Sequence, residues 1–379
     1  MNIELQTIRS GYDRKTCWVH ARPGIIPSDP LTAVVTMQML RLTGSDVFYE
    51  INSMYSIDGG QSWSEPSPQS TLARRDVGDN IEEGISDFSP GWHAASGTLL
   101  GTGHTIRYQG DNLQPLPRKR DTGYSMYDPT QNLWRPWQIL QFPEDVSFFN
   151  EGAGSTQRLD LEDGTILLPT YIALQQKTGK VFDIQCASAV MRCSFDGQNL
   201  QYLEHGNELT MPSGRGLVEP SIANAAGRYF LTLRNNDAGY IATSEDGLHY
   251  DEPRCWTFDD GTDLGSYNTQ QHWLNHGDDL YLIYTRRGAN NDHIPRHRAP
   301  LFIAQVDTDR LCVIRNSEKA LIPQRGARLG NFGVTKISEN ESWVVVSEWM
   351  QTTAPNPYDS TVCEKWGSDN SIFLAKVTF

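Results

Sequence analysis

Several apolar runs in this chain are interrupted by side chains that can bind charge or move protons. Glu219 stands directly before a proline in Leu217-Val-Glu-Pro-Ser-Ile222. A carboxylate in such a run is costly to bury without a partner or a purpose. His20 and Arg22 share Trp18-Val-His-Ala-Arg-Pro23, Arg234 and Asn235 follow Tyr229-Phe-Leu-Thr-Leu233, and Arg296, His297 and Arg298 lie between two prolines. An arginine fork donates two parallel hydrogen bonds and so suits a planar carboxylate. Asp46, Glu151 and Glu219 are candidate acids and bases, with Glu151 the reserve; two carboxyl groups brought to one site, one of them held protonated, suit glycosidic bond cleavage. Gln157, Gln271 and His272 also sit at the heads of β-type runs, and the nine histidines offer proton transfer near neutral pH. No His/Cys set has metal-ligand spacing, so neither a metal nor a cofactor is expected.

Composition narrows the partners. The chain has 379 residues and a formal charge of −14, which argues against nucleic acid because phosphate binding needs a basic face. A local arginine cluster can still override that field for a small anion. No apolar run reaches the ~18 residues of a membrane span, and Met1-Asn2-Ile3-Glu4 opens no signal peptide, so the expectation is a cytoplasmic protein or the mature form of an exported one. Six scattered cysteines without a CxxC pair are expected to be buried small hydrophobes. The oligomeric state is left open.

The elements that must position these residues come from a repeat. Six β-type runs, among them Leu31–Met37, Gly164–Tyr171, Arg228–Arg234 and Ser342–Ser347, are each followed by a second run, and the pairs recur every 50 to 71 residues. Turn signals such as Glu162-Asp163-Gly164 introduce them, and no window shows a sustained helical stripe. The period predicts one all-β domain over 1–379: a six-bladed β-propeller of four-stranded antiparallel blades. The final blade shows only three clear strands, so Ile3–Ile8 is expected to complete it and cover an exposed edge. In such a ring the first strands and their loops converge on the axis, where residues from different blades meet.

One turn is more specific. Ser56-Ile-Asp-Gly-Gly-Gln-Ser-Trp63 matches the Asp-box, S/T-x-D-x-G-x-T/S-W/F, and degenerate copies stand at Ser125–Asp128, Ser194–Gly197 and Ser244–Tyr250. With Gly152-Ala-Gly-Ser-Thr-Gln157, Asp163-Gly-Thr-Ile-Leu-Leu-Pro169 and Val218-Glu-Pro220 followed by Arg228–Tyr240, the chain resembles the sialidase (neuraminidase) superfamily over nearly its whole length. The resemblance implies an exo-acting hydrolase of a terminal acidic sugar, sialic or uronic, on a glycan. Arg22, Arg234 and one of Arg296 or Arg298 would anchor the carboxylate, Asp46 would be acid/base, and Glu219 base or nucleophile. The sequence departs from the family in the last blade. Arg328-Leu-Gly-Asn-Phe-Gly333 carries Asn331 or Phe332 where the family has a tyrosine nucleophile, leaving Tyr171, Tyr267, Tyr284 or Glu219 itself as replacements. Two other readings stand beside this one: a uronate lyase using histidine or tyrosine, and a non-catalytic glycan-binding propeller.

Overall fold

The computed structural model describes residues 1–42, 46–146, 148–180, 183–352, 356 and 359–379. Their strands form six antiparallel sheets in chain order. The first runs from Thr16–Ile26 through Thr32–Arg41 and Phe48–Ser56 to Ser67–Pro68, and the fourth from Val218–Ala225 through Arg228–Arg234 and Gly239–Ser244 to Arg254–Cys255. The sheets close on themselves: Thr16–Ile26 touches Ile81–His93 of the second and Phe332–Ser338 of the sixth, and His272–His276 of the fifth touches Val218–Ala225 and Phe332–Ser338. The all-β propeller is therefore the architecture. Blades of uniform size are not. The second sheet has seven strands and the third and fifth have five, because long loops add short ladder pieces such as Gln138–Ile139 and Lys319–Ile322.

The N-terminal strand Asn2–Arg9 pairs antiparallel with Ile372–Thr378, Ile3 opposite Val377 and Leu5 opposite Ala375, and joins the two ends of the chain in one sheet. The core is a set of layers between neighbouring sheets. Between the sixth and first, Trp343, Val345, Ile372 and Leu374 meet Ala33, Val35, Met37 and Met54. Because both faces of the middle strands are covered, those strands read as continuous apolar runs, as in Trp343–Val346, rather than as alternating ones.

The turns behave as their residues require. Asp58 accepts from Ser62 Oγ at 2.5 Å, from the amides of Ser62 and Gln61, each at 3.0 Å, and from Ser56 Oγ at 2.7 Å. Those donors hold its carboxyl well below the usual range. Asp246 repeats the pattern on Leu248 and His249, both at 2.8 Å. Gly60, at φ 78°, lies flat on Trp343, whose ring would be 2.6 Å from any Cβ there. Five of the six cysteines are buried as expected, whereas Cys255 is exposed on a two-residue edge strand. Trp343→Ala removes the ring shared by that turn and the sixth-to-first layer. It is expected to cost about 3–5 kcal/mol, read as a lower urea midpoint with an unchanged slope.

Candidate functional site

A repeated backbone irregularity builds the site. The first strands of the first, second and fourth sheets each break register, at Val19/Arg22, Ser86/Ser89 and Val218/Ser221. At each break one non-glycine residue takes positive φ: His20 at 57°, Asp87 at 52° and Glu219 at 50°. In the third sheet the first strand is split into Glu151–Gly152 and Leu159–Asp160, with Ser155 at φ 56° between them. In the fifth, Asn268 at φ 48° precedes His272–His276. Side chains rarely adopt this conformation, and each instance costs of order 1–3 kcal/mol. A bulge re-aims its side chain out of the pleat. Repetition at the head of successive sheets turns five polar residues toward the axis.

Asp87 is the hub of this cluster. It accepts from Arg22 Nη2 at 3.1 Å and Ser155 Oγ at 2.5 Å, while His20 Nε2 and His104 Nε2 stand 3.6 and 3.7 Å away. Burial alone would raise its pKa, but His20, Arg22 and His104 hold the carboxyl far below the usual range. Arg22 Nη2 also donates to Ser155 Oγ at 2.6 Å and Gln270 Oε1 at 3.0 Å, leaving its Nε and Nη1 buried and unpartnered. Burial pushes both histidines toward the neutral form, His104 to about 4. Sequence reasoning missed Asp87. The signal was Pro90, because Arg22-Pro23 and Ser89-Pro90 put a proline just after the bulge and Glu219-Pro220 puts one inside it.

Beside this hub lies an arginine cluster. Arg234 Nη1 donates to Glu219 Oε1 and its Nη2 to Asn268 Oδ1 at 2.6 Å, whereas Glu219 Oε2 has no partner. Burial would raise the Glu219 pKa, but Arg234 reverses this and keeps it below the usual value. Arg298 donates to the Asn268 carbonyl and to Asn331 Oδ1 at 3.2 Å. Gly330 permits that approach, since a Cβ there would be 2.7 Å from Arg298 Cδ. Arg328 lies over the Trp349 ring and donates to Gln351 at 2.9 Å. Among the described residues, Arg118, Arg120, Arg215, Arg296, Arg298 and Arg328 form no ion pair. Burial and mutual repulsion lower several of them: Arg298 falls well below its ordinary value beside Arg234 and Arg296, and Arg118, beside Arg120, and Arg328, beside Arg296, each fall to about 10. Asp46 is half-buried and acts electrostatically on Arg118, Arg296 and Arg328. A chain of net charge −14 thus concentrates uncompensated positive charge in one cluster.

The other expected residues are held elsewhere. Glu151 is sealed between sheets by Thr122 Oγ1 at 2.5 Å, the Thr122 amide and Thr170, so its carboxylate has no open side toward a reacting group. His272 is locked between Ser221 Oγ and Gln270, each at 2.8 Å, so both of its ring nitrogens are spent on the scaffold, and burial lowers it to about 3. Gln157 spans to the Trp273 backbone at 2.7 and 2.9 Å, Gln271 bonds Thr232 and Ser266, and Asn235 ties the Ser213 and Gly216 carbonyls. Those amides are spent on the scaffold. Tyr284 is fully buried on Glu318, far from the cluster in contacts, and Phe332 is buried against His272. Of the two residues expected at the place of a tyrosine, Phe332 faces His272 and Asn331 faces Arg298. No group of three or more His, Cys, Asp or Glu among the described residues is arranged to hold a metal ion.

If Asp87 neutralises the Arg22 end of the basin, Asp87→Asn strands a buried cation and is expected to cost about 3–5 kcal/mol. Because the folded-state pKa of Asp87 is depressed, its stabilisation is complete above about pH 4 and is lost as pH falls further. Urea midpoints measured from pH 6 to pH 2 should therefore fall more steeply for the wild type than for Asp87→Asn.

No family model matches the chain, and no curated protein is similar to it in sequence. Solved structures are similar in fold. A protein of unknown function from Dyadobacter fermentans superposes with a TM-score of 0.64 at 14% identity over 99% of both chains. The Trypanosoma rangeli sialidase in complex with sialic acid gives 0.61 at 12% identity, covering 100% of this chain and 59% of that one. The NanB sialidase of Streptococcus pneumoniae gives 0.62 at 12%, covering 99% and 70%. The fold is that of a sialidase-like β-propeller.

Proposed function

We propose that the protein is an exo-acting glycoside hydrolase that removes a terminal acidic sugar, of sialic or uronic type, from a glycan. The ring is read as one blade per sheet, a six-bladed scaffold with the site at its axis. The observation that carries the proposal is the set of arginines without ion-pair partners gathered beside Glu219, with buried guanidinium nitrogens of Arg22, Arg234 and Arg298 left unpaired. Buried donors without acceptors are rare in folded proteins, and an anionic ligand would satisfy them. Arg234 and Arg298 anchor the carboxylate with Arg296 at the rim, and Arg22 contributes its free nitrogens from the floor. Asp46 donates the proton to the leaving oxygen. Glu219 keeps one oxygen on Arg234 and the other free, so it holds the anchor in place and stabilises positive charge that develops on the sugar. The fold neighbours support the scaffold, and one of them is described with sialic acid bound.

A panel of aryl sialosides and aryl uronides tests this. Release of aryl alcohol from one class is expected. Glu219→Gln should lower kcat by about 10²–10⁴, and Arg298→Ala should raise KM by roughly 10- to 100-fold, the loss of a charged hydrogen bond of about 1.5–3 kcal/mol. An unsaturated, ultraviolet-absorbing product would assign elimination instead. Glycan binding without turnover would assign a receptor.

A further inference from the structure

The site has a tyrosine, supplied by a different sheet from the one where it was sought. Tyr171 lies in Thr165–Gln176 of the third sheet, its ring capped by the Arg120 guanidinium at 4.0 Å. Its hydroxyl meets His104 Nδ1 at 3.2 Å, and the opposite ring nitrogen of His104 faces Asp87 Oδ2 at 3.7 Å. Tyr171, His104 and Asp87 thus form a continuous line from three strands, ending on the carboxylate that also holds Arg22. The backbone was cleared for this arrangement. A Cβ on Gly154 would stand 1.8 Å from His104 Nδ1, so only glycine lets the imidazole reach the phenol.

We infer that Tyr171 is the nucleophile of the proposed hydrolysis and that His104, oriented by Asp87, takes its proton. The inference rests on the hydrolase reading. An anionic Asp87 favours the His104 tautomer with its proton on Nε2, leaving Nδ1 with a free lone pair for the phenol, the logic of a nucleophile–base–orienter triad. Burial raises the Tyr171 pKa, so the phenol is inert at neutral pH without such a base. The groups facing His104 are Asp87, Arg120, Glu219, His20 and Tyr171, and with burial dominant the imidazole is neutral and ready to accept a proton above about pH 4. In the first step Tyr171 Oη bonds the anomeric carbon and its proton passes to His104 Nδ1. The glycosidic C–O electrons leave with the aglycone oxygen, which takes a proton from Asp46. In the second step water bonds the same carbon and gives a proton to Asp46, while the phenolate leaves and recovers its proton from His104. Configuration is retained. A neutral nucleophile also avoids repulsion by the substrate's own carboxylate.

A fluorinated glycosyl fluoride tests this directly, because fluoride leaves without a proton donor. The probe is 2,3-difluorosialic acid if sialosides are turned over, and a 5-fluorouronosyl fluoride if uronides are. Peptide mass spectrometry of the inactivated wild type is expected to find the sugar on Tyr171. Tyr171→Phe, which keeps the ring beneath Arg120, should form no adduct and lose at least about 10³-fold in kcat. His104→Gln should slow trapping by about 10²-fold, and 3,5-difluorotyrosine at position 171 should restore part of that loss, because a more acidic phenol needs less help. An adduct on Tyr267 or Glu219, or an unimpaired Tyr171→Phe, would overturn the assignment and leave the hydrolase reading standing. Turnover of no acidic glycoside, with no adduct from either probe, would overturn both.

Discussion

The ion pair between Arg22 and Asp87 joins the pieces of chain that meet at the axis. Arg22 comes from the first sheet and Asp87 from the second; Ser155 from the third donates to the carboxylate, and Gln270, at the start of the fifth, accepts from the guanidinium. A buried pair of this kind seldom adds net stability against well-packed apolar groups, since desolvation offsets the attraction. Its effect here is to fix geometry. Each of the participating strands reaches the pair through a residue in a strained conformation or within two residues of one, and such strain persists only where the surroundings over-determine it. The apolar layers between sheets supply that over-determination, and the polar residues at their inner ends are held where apolar packing alone would not put them.

Charge follows from that geometry. Elsewhere in the protein arginines are matched: Arg158 with Asp160, Arg286 with Glu318, Arg315 with Asp260 and Arg325 with Glu348. Around the axis the matching stops after Arg22 and Arg234. Burying guanidinium groups without counter-charge opposes folding, and the depressed pKa values of Arg298 and Arg328 express that opposition. Acidic residues are plentiful in this chain, so they could have supplied partners at little cost in sequence. Leaving the cluster open makes physical sense when the missing negative charge arrives with a ligand, whose binding then recovers the electrostatic energy withheld from folding.

The fold was largely legible because it is periodic. Paired β-runs, aspartate turns and the unmatched Ile3–Ile8 strand specify a ring and its closure without any distant contact being known. Glu219 and Arg234 were legible as polar interruptions of apolar strands, and they do meet. Asp87 was not, since Ser86-Asp87-Phe88-Ser89 reads as a weak strand or loop until the bulge recurring in three first strands is seen. Glu151 and His272 show the converse error. Each stands at the head of an inner strand, but strand position does not reveal whether a side chain points into the basin or between sheets, and Thr122, Thr170 and Ser221 settle that locally. The unequal sheets escaped notice because two-residue ladder pieces leave no periodic trace.

The asparagine at position 331 takes its meaning from the same geometry. Asn331 lies between Gly330, which makes room for Arg298, and the buried Phe332 on His272. Its amide oxygen receives Arg298, so that position holds the guanidinium in place. A tyrosine there would have to share this space with a guanidinium that already reaches the Asn268 carbonyl. On the other side of the basin the corresponding room exists: Gly152 and Gly154 admit Arg120 and His104 around Tyr171. In the proposed hydrolysis the base behind Tyr171 is the His104 imidazole, because the Glu219 carboxylate is already engaged by Arg234.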